Sequence, residues 1–292
     1  MSGEVAAAYG RQYLVDCGAG RVLLCVPRGK KSLLACGDRV SVSPTAAGQG
    51  VVEEVAPRAS LFSRAAMHRT KIIAANATQI AVICATNPDF SDELVARVLV
   101  TAEHQGLKSV VVLNKSDLTE RLAQARERLA PFRQAGYAVV EMCAKRDASP
   151  LTPMLEGEIT VFVGQSGMGK STLINALFPD ADAVTAEYSE ALDSGRHTTT
   201  HTRLHRLDAD SAVIDSPGLQ EFALQHLDAG ALAHAFVEFR PFLGQCRFRD
   251  CKHETEPGCR LQEAAAAAEI EPARLKLFQT LRRLQQNAAQ RL

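Results

Sequence analysis

Short apolar runs of β type, bounded by polar residues, fill the first part of the chain, for example RQYLVDC, RVLLCVP and RVSVS. Glycine-rich or polar stretches such as GAG and TAAGQG separate them. Several short strands at close, regular spacing are typical of a small antiparallel barrel or sandwich. The pattern therefore predicts a β-domain over residues 1–68.

From Ile72 onward the pattern changes to continuous apolar runs that alternate with amphipathic stretches. QIAVICAT, SVVVLNKSD, YAVVEMCA, EITVFVG and SAVIDSPG have the composition of buried strands, whereas DELVARVLVTAEHQG and TERLAQARERLAPFRQAG have helical periodicity. Buried strands that alternate with helices indicate a parallel sheet with helices on both faces. We predict an α/β domain over residues 69–235.

The last part of the chain begins with a stretch rich in cysteine and histidine. After it, LQEAAAAAEIEPARLKLFQTLRRLQQNAAQRL is helical in pattern, with Pro272 between two segments. A third, mainly helical domain is predicted over residues 236–292.

Charge changes the interpretation of the first domain only. The whole chain is balanced, with 33 Lys and Arg against 33 Asp and Glu. Residues 1–70, however, hold nine basic against five acidic residues. A small basic barrel fits an OB-fold, a common nucleic-acid binder; a purely structural β-domain is the alternative.

The sequence favours a cytoplasmic protein. MSGEVAAAYG lacks the features of a signal peptide, and no apolar run approaches the length of a membrane span. In this compartment the eight cysteines are thiols or metal ligands rather than disulfides. The five scattered ones are predicted to be core residues.

GQSGMGKST follows a predicted strand and precedes a predicted helix, as a phosphate-binding loop requires. Glycines let backbone N–H groups surround phosphates, and the helix N-terminus adds a favourable dipole. Lys170 is expected to contact the β- and γ-phosphates, and the Ser171 hydroxyl to bind Mg²⁺. The predicted loop residues are Gly164, Gln165, Ser166, Gly167, Met168, Gly169, Lys170, Ser171 and Thr172.

Two further segments supply candidates for the Mg²⁺ and γ-phosphate contacts. The sequence Asp215-Ser-Pro-Gly218 follows a strand, which suits Asp215 for the Mg²⁺ shell and the Gly218 amide for the γ-phosphate. The polar segment SGRHTTTHTRL lies where a switch threonine belongs. Thr199 is the first choice for that ligand, and Thr198 and Thr200 remain alternatives.

NKSD at 114–117 indicates guanine as the base. The Asp117 carboxylate can accept from both N1–H and the N2 amine of guanine, which adenine does not offer. Asn114 can bridge the site, and the stem of Lys115 can cover the base. CAK at 143–145 resembles the Ser-Ala-Lys loop of GTPases, with the Ala144 amide facing guanine O6 and Lys145 completing the loop. Cys143 departs from that pattern.

The order of these motifs is unusual. Ras-type GTPases run phosphate loop, switch threonine, DxxG, NKxD and SAK. Here NKxD and the SAK-like loop precede the phosphate loop, the threonines and DxxG. This order indicates a circularly permuted GTPase domain that is cut after the DxxG segment.

Three cysteines and one histidine lie within fourteen residues: Cys246, Cys251, His253 and Cys259. Three thiolates and an imidazole match a closed, structural Zn²⁺ site, and such a module would be disordered without metal. Nearby basic residues are candidates for contacts with nucleic-acid phosphates, and for each a solvated face is the alternative: Arg247, Arg249, Lys252, Arg274, Lys276, Arg282 and Arg283.

The chain closely resembles the ribosome small-subunit-dependent GTPase A family of bacterial ribosome-assembly factors. NKSD, GQSGMGKSTLIN, GRHTTTH, DSPGLQEF and CRFRDCKHETEPGC carry the resemblance over nearly the whole chain. It implies GTP hydrolysis stimulated by the small ribosomal subunit, binding to its rRNA and a role in its late maturation. We expect a monomer with one Zn²⁺, and Mg²⁺ bound with GTP.

The resemblance also suggests a group that promotes hydrolysis. Leu219 follows DxxG where Ras-like proteins carry a glutamine that orients water. His197 matches the family's HTTT motif, and an imidazole can hydrogen-bond the attacking water. His201 and rRNA are alternatives.

Two other functions are compatible with parts of the sequence. A P-loop kinase or metabolic NTPase is disfavoured by NKSD and by the lack of a recognisable second-substrate motif. A zinc-stabilised RNA-binding protein that uses GTP only as a structural ligand stays open because of Leu219.

Overall fold

A computed structural model of the protein describes residues 1–29, 33–66, 69–179, 202–216, 224 and 227–289. The strands are β1 Ser2–Tyr9, β2 Gln12–Asp16, β3 Val22–Pro27, β4 Arg39–Pro44, β5 Gln49–Val55, β6 Leu61–Ala66, β7 Arg69–Ala75, β8 Gln79–Ala85, β9 Lys108–Asn114, β10 Ala138–Glu141, β11 Ile159–Val163, β12 Thr202–Arg206 and β13 Ala212–Asp215. The α-helices are α1 Asp92–His104, α2 Leu122–Gln134, α3 Thr152–Leu155, α4 Lys170–Leu177, α5 Ala229–His234, α6 Arg260–Ala266 and α7 Pro272–Ala289.

Strands β1 to β5 form a closed barrel. Their order is β1-β2-β3-β5-β4, and β1 closes the barrel by pairing with β4. Strands β3 and β5 are parallel, while the other pairs are antiparallel. The alternating apolar positions point inward, where Val5, Tyr13, Val15 and Cys25 form part of the core. The predicted OB-like barrel is confirmed.

A second set of strands forms the predicted α/β sheet. The order is β10-β9-β8-β11-β13-β12, with β12 antiparallel to its neighbour and the others parallel. All seven residues of β8 are buried, as expected of a central strand covered on both faces. Ser91 caps the N-terminus of helix α1, and its side chain accepts from the Leu94 N–H. The carboxyl ends of the parallel strands meet at one edge.

The barrel and the α/β sheet are joined by a backbone ladder. Strand β1 pairs with β12, with Ala7 opposite Arg203 and Ala8 opposite Thr202. The buried Cys36 thiol donates to the Thr202 carbonyl over 3.1 Å. The sequence did not predict this joint. The predicted boundary after residue 68 lies between β6 and β7, which pair as a hairpin; the division into three domains stays a prediction.

The C-terminal part is mainly helical and packs against the α/β domain. Helix α7 contacts α1 and α2. Phe236, Phe239 and Phe278 form a cluster with ring centroids 4.9 to 5.5 Å apart. No helix within the described ranges is long and apolar enough to cross a membrane.

Two arginines that were candidates for phosphate contacts are structural instead. Arg274 is 1% exposed; it pairs with Glu238 over 2.6 Å and lies 4.6 Å from the Phe236 ring centroid. Arg282 is also buried and donates to the Lys252 carbonyl. Their positions in an amphipathic helix gave no sign of this, because α7 is covered on more than one side.

Candidate functional site

Three segments that are distant in sequence line one cavity of about 150 Å³ at the carboxyl edge of the parallel strands. They are the loop after β9, the loop after β10 and the predicted phosphate loop between β11 and α4. The lining residues are Asn114, Lys115, Asp117, Leu118, Cys143, Ala144, Lys145, Gly169 and Thr172. The structure thus brings the candidate base loops and the phosphate loop together.

Asn114 connects all three segments. Its side chain is buried; Nδ2 donates to the Met168 carbonyl over 3.1 Å, and Oδ1 accepts from the Ala144 N–H over 2.9 Å. Oδ1 also accepts from the Lys115 N–H over 2.8 Å. The bridging role predicted for Asn114 agrees with these contacts. The Ala144 amide, predicted to face guanine O6, is the group that donates to Asn114 Oδ1.

Lys115 reaches across the cavity to two carbonyls. Its Nζ donates to Asn87 O and Gly167 O, each over 2.7 Å. Its own carbonyl accepts from the Thr86 hydroxyl over 2.8 Å. Thr86 and Asn87 were not predicted as site residues from the sequence. They follow β8, which lies between β9 and β11, so their place at the carboxyl end of a central strand was the available signal.

The half-buried Asp117 is held by the thiol of Cys143, which donates to Asp117 Oδ1 over 3.1 Å. This hydrogen bond lowers the pKa of the Asp117 carboxyl. A cysteine can therefore take the place of the serine usual in this loop and keep the carboxylate ionised and oriented.

The phosphate loop needs its glycines where it approaches the base loops. Gly169 has a φ of +89°, and a Cβ there would lie 2.4 Å from Asn114 Nδ2. The Gln165 side chain accepts from the Ser91 N–H over 2.9 Å, which ties the loop to the start of α1. Ser166 and Gly167 are exposed, as ligand-facing positions require.

Lys170 is the first residue of α4, and Asp215 is the last residue of β13, which pairs with β11. Lys170 Nζ donates to the Gly164 carbonyl over 2.8 Å, and burial lowers the pKa of its ammonium group. Burial raises the pKa of the Asp215 carboxyl to about 6, against the opposing effect of Lys170. Ser171, the second residue of α4, is exposed. Carboxylate and hydroxyl oxygens are ligands that suit a hard cation.

Three predicted site residues lie outside the described part of the chain. They are Gly218, expected at the γ-phosphate, Thr199, expected at Mg²⁺, and His197, expected at the attacking water. The same holds for the alternatives Thr198, Thr200 and His201, and for Leu219.

Cys246, Cys251, His253 and Cys259 form a compact cluster, with their ligand atoms all within 4.8 Å of one another. His253 Nδ1 lies 3.5 Å from the sulfurs of both Cys246 and Cys259. Tetrahedral bonds of about 2.3 Å to sulfur and 2.05 Å to nitrogen require a separation of about 3.6 Å. The two separations from His253 therefore match tetrahedral ligation, and all four atoms are close enough together to share one metal ion.

Neighbouring groups hold the cluster in shape. Gln279 on α7 donates to the His253 carbonyl over 2.8 Å, and the Arg260 N–H points at the Cys246 sulfur over 3.4 Å. Burial raises the pKa of Cys251 to about 12 and lowers that of His253. Hydrogen bonds such as those from Gln279 and Arg260 orient metal ligands.

Comparison with known proteins agrees with this geometry. A family model described as RsgA GTPase matches residues 55–225. The small ribosomal subunit biogenesis GTPase RsgA of Nitrosomonas europaea is 50% identical over 284 residues, which cover 96% of this chain and 90% of that protein. The protein of the same name from Burkholderia pseudomallei strain K96243 is 51% identical over 284 residues, with the same shares.

Two solved structures share the fold. YjeQ from Thermotoga maritima aligns with a TM-score of 0.73 and 30% identity, covering 97% of this chain and 98% of that one. YloQ, described as a circularly permuted GTPase, aligns with a TM-score of 0.71 and 24% identity, covering 100% and 96%. The family model matches more than half of this chain. The chain belongs to the RsgA GTPase family and is a GTP-hydrolysing enzyme.

Proposed function

We propose that this GTPase is stimulated by the small ribosomal subunit and acts in late maturation of that subunit through rRNA binding. The observation that carries the proposal is the cavity in which the NKSD loop meets the phosphate loop. Its substrate is supported by the base chemistry below. The partner is supported by two relatives that are named small ribosomal subunit biogenesis GTPase. The match covers 90% of the length of each.

Base recognition is assigned to the loops after β9 and β10. Asp117 accepts from guanine N1–H and the N2 amine, held in place by Cys143. The Lys115 stem, whose terminal Nζ is held by the carbonyls of Asn87 and Gly167, covers one face of the base. Ala144 and Lys145 line the remaining side. For the Ala144 N–H to reach O6, it has to share its bond with Asn114.

Phosphate binding is assigned to the loop Gly164–Thr172 and to the switch segments. Lys170 would exchange the Gly164 carbonyl for the β- and γ-phosphates. The residues that would hold Mg²⁺ are Ser171, Thr199 and Asp215, and the ion would neutralise charge on the phosphate oxygens. The Gly218 amide is assigned to the γ-phosphate. The raised pKa of Asp215 supports its assignment to Mg²⁺, because a nearby cation stabilises the ionised form of a buried carboxyl group.

Hydrolysis requires a group that orients the attacking water, and His197 is assigned this role. Leu219 offers no hydrogen bond for the purpose, so turnover of the free protein should be slow. His197→Ala should abolish most of the stimulated turnover while GTP affinity stays within about twofold. Full stimulation of this variant would exclude the assignment.

The C-terminal cluster is assigned one structural Zn²⁺, because three sulfurs and a nitrogen within 4.8 Å of one another make up the ligand set of a closed zinc site. Two domains would bind rRNA: the barrel, residues 1–68, and the zinc domain, residues 236–292. The GTPase domain, residues 69–235, lies between them in the sequence. The protein acts as a cytoplasmic monomer on its ribosomal partner.

The direct test is steady-state GTP turnover of the full chain with and without purified small ribosomal subunits. Large subunits and free rRNA serve as controls. Stimulation by small subunits alone supports the proposal. RNA binding without any stimulation would favour a protein that uses GTP only as a structural ligand.

A further inference from the structure

The loop Arg247–Asp250 lies between two of the metal-ligand cysteines, and all four of its side chains are exposed. At its centre, Phe248 is 42% exposed. Within the described ranges, every other phenylalanine and tyrosine with a burial assignment is buried or half-buried. Among the described residues with a burial assignment, a phenylalanine or tyrosine ring classed as exposed is therefore found in this loop alone.

The backbone holds this loop in one position. Arg247 N–H donates to Gly258 O over 3.0 Å, and Cys251 N–H donates to Phe248 O over 3.3 Å. The crossing at Gly258 is close: a Cβ there would lie 2.9 Å from Arg247 Cβ, at a φ of +71°. Cys246 and Cys251 flank the loop as ligands in the cluster. A loop backbone held in this way loses little further entropy on contact with a partner.

The charges around Phe248 favour a polyanion. Residues 247–252 carry three exposed cations, Arg247, Arg249 and Lys252, against one acid, Asp250. The nearby Glu256 carboxylate accepts from the backbone N–H groups of residues 252, 254 and 255. The Arg247 guanidinium lies 5.5 Å from the Phe248 ring centroid, so the ring already has a cation at its face. Proteins that bind single-stranded RNA combine aromatic rings, on which bases stack, with cations that contact the backbone. Duplex RNA offers no free base face to such a ring.

We propose that Phe248 is a stacking platform for an unpaired nucleobase of RNA, and that Arg249 and Lys252 contact the phosphates on either side of that base. The inference rests on the RNA binding proposed above and names the kind of RNA: a single strand, loop or bulge. Phe248, at the centre of the loop Arg247–Asp250, would contact RNA directly, whereas the Cys/His cluster next to this loop has a structural role.

The first test compares Phe248→Ala, Phe248→Leu and Phe248→Tyr in the full chain, each with a measured zinc content and basal GTP turnover equal to the parent's. Affinity for a single-stranded oligoribonucleotide should fall about tenfold for the Ala and Leu variants, within the range for loss of one stacked base. The Tyr variant should stay within about twofold. Leucine is the matched control, because it keeps an apolar side chain but cannot stack.

Salt dependence separates stacking from charge. The slope of log affinity against log salt should be unchanged in Phe248→Ala, because no phosphate contact is lost. Arg249→Ala should reduce that slope by about one. A reduced slope in Phe248→Ala would contradict the division of roles.

A fluorescence arm uses the absence of tryptophan from the sequence. Phe248→Trp would carry the single indole of the chain, and its emission should be quenched by the single-stranded oligonucleotide and by small subunits, but not by duplex RNA. Quenching by subunits without quenching by any RNA would identify a protein partner and overturn the proposal.

Failure of this inference and failure of the proposed function give different results. Wild-type affinity for single-stranded RNA in Phe248→Ala, or affinity in Phe248→Leu equal to that in Phe248→Tyr, overturns the stacking role whatever the subunits do. Lack of stimulation by small subunits in the wild-type protein refutes the proposed function, while the oligonucleotide arm still decides the role of Phe248.

Discussion

The nucleotide site and the Cys/His cluster differ in what holds them together. The nucleotide site joins distant segments through hydrogen bonds between its own groups, such as the one from Asn114 to the carbonyl of Met168, 54 positions later. The cluster gathers three thiols and an imidazole from fourteen consecutive residues. Its groups offer one another only weak hydrogen bonds. We infer that the base pocket forms without ligand, whereas the cluster depends on metal.

The largest effect is expected from loss of a metal ligand. Cys251→Ser should lower the zinc content from one ion per chain to a small fraction, and residues 246–259 should lose protection in hydrogen exchange, because metal binding supplies several kcal/mol of folding free energy in such modules. GTP affinity should stay within about threefold. Cys17→Ser, at a half-buried thiol outside both sites, is the matched control. A large loss of GTP affinity in Cys251→Ser would contradict the independence of the two regions.

Asn114→Ala should produce the next largest effect, through the hydrogen bonds that hold the nucleotide site. It leaves the Ala144 and Lys115 N–H groups and the Met168 carbonyl without their partner. Unsatisfied buried groups predict a loss of about 2–4 kcal/mol in unfolding free energy, measurable by urea denaturation. The exposed Asn175→Ala should change it by less than about 0.5 kcal/mol. Equal stability of the two variants would mean that Asn114 does not hold the loops.

Asp215→Asn should stabilise the protein in the absence of Mg²⁺ and nucleotide. The pKa of Asp215 is raised to about 6, above its usual value of 3.8. Between these two pH values the unfolded state releases a proton that the folded state keeps, so stability falls as pH rises. Removing the charge should gain up to about 3 kcal/mol at pH 7.5 and about half of that at pH 5.

Urea denaturation at both pH values measures the Asp215 effect, and the same variant should lose Mg²⁺-dependent turnover. A gain that is equal at the two pH values would contradict the assigned pKa. Retained turnover would remove Asp215 from the proposed Mg²⁺ shell.

The smallest effect concerns the thiol beside the base-reading carboxylate. Cys143→Ser keeps a donor toward Asp117 and should leave GTP affinity within about twofold. Cys143→Ala removes the donor and should weaken GTP binding about fivefold, the equivalent of one hydrogen bond of about 1 kcal/mol. Equilibrium titration with a fluorescent guanine nucleotide distinguishes the three proteins. Equal affinities for Ala and Ser would show that Cys143 does not position Asp117.

The sequence predicted those parts of the molecule whose residue types are set by local chemistry. Buried strands, the phosphate loop and the Cys/His spacing each carry a pattern that can be recognised without knowledge of the fold. Contacts that depend on packing between distant segments were not predictable: the pairing of β1 with β12, the reach of Lys115 to Asn87, and the burial of Arg274 in an aromatic cluster. An arginine in an amphipathic helix looks the same whether its guanidinium meets water or a buried glutamate.

The most direct test of the central claim, that the permuted chain rebuilds a guanine-reading GTPase site, changes the base specificity. In Asp117→Asn the carboxamide can accept from N1–H and donate to the carbonyl that xanthine carries in place of the guanine amine. Turnover with small subunits should fall at least about 100-fold for GTP and should appear with XTP. Wild-type GTP turnover in this variant, or equal use of ATP and GTP by the wild-type protein, would contradict the account.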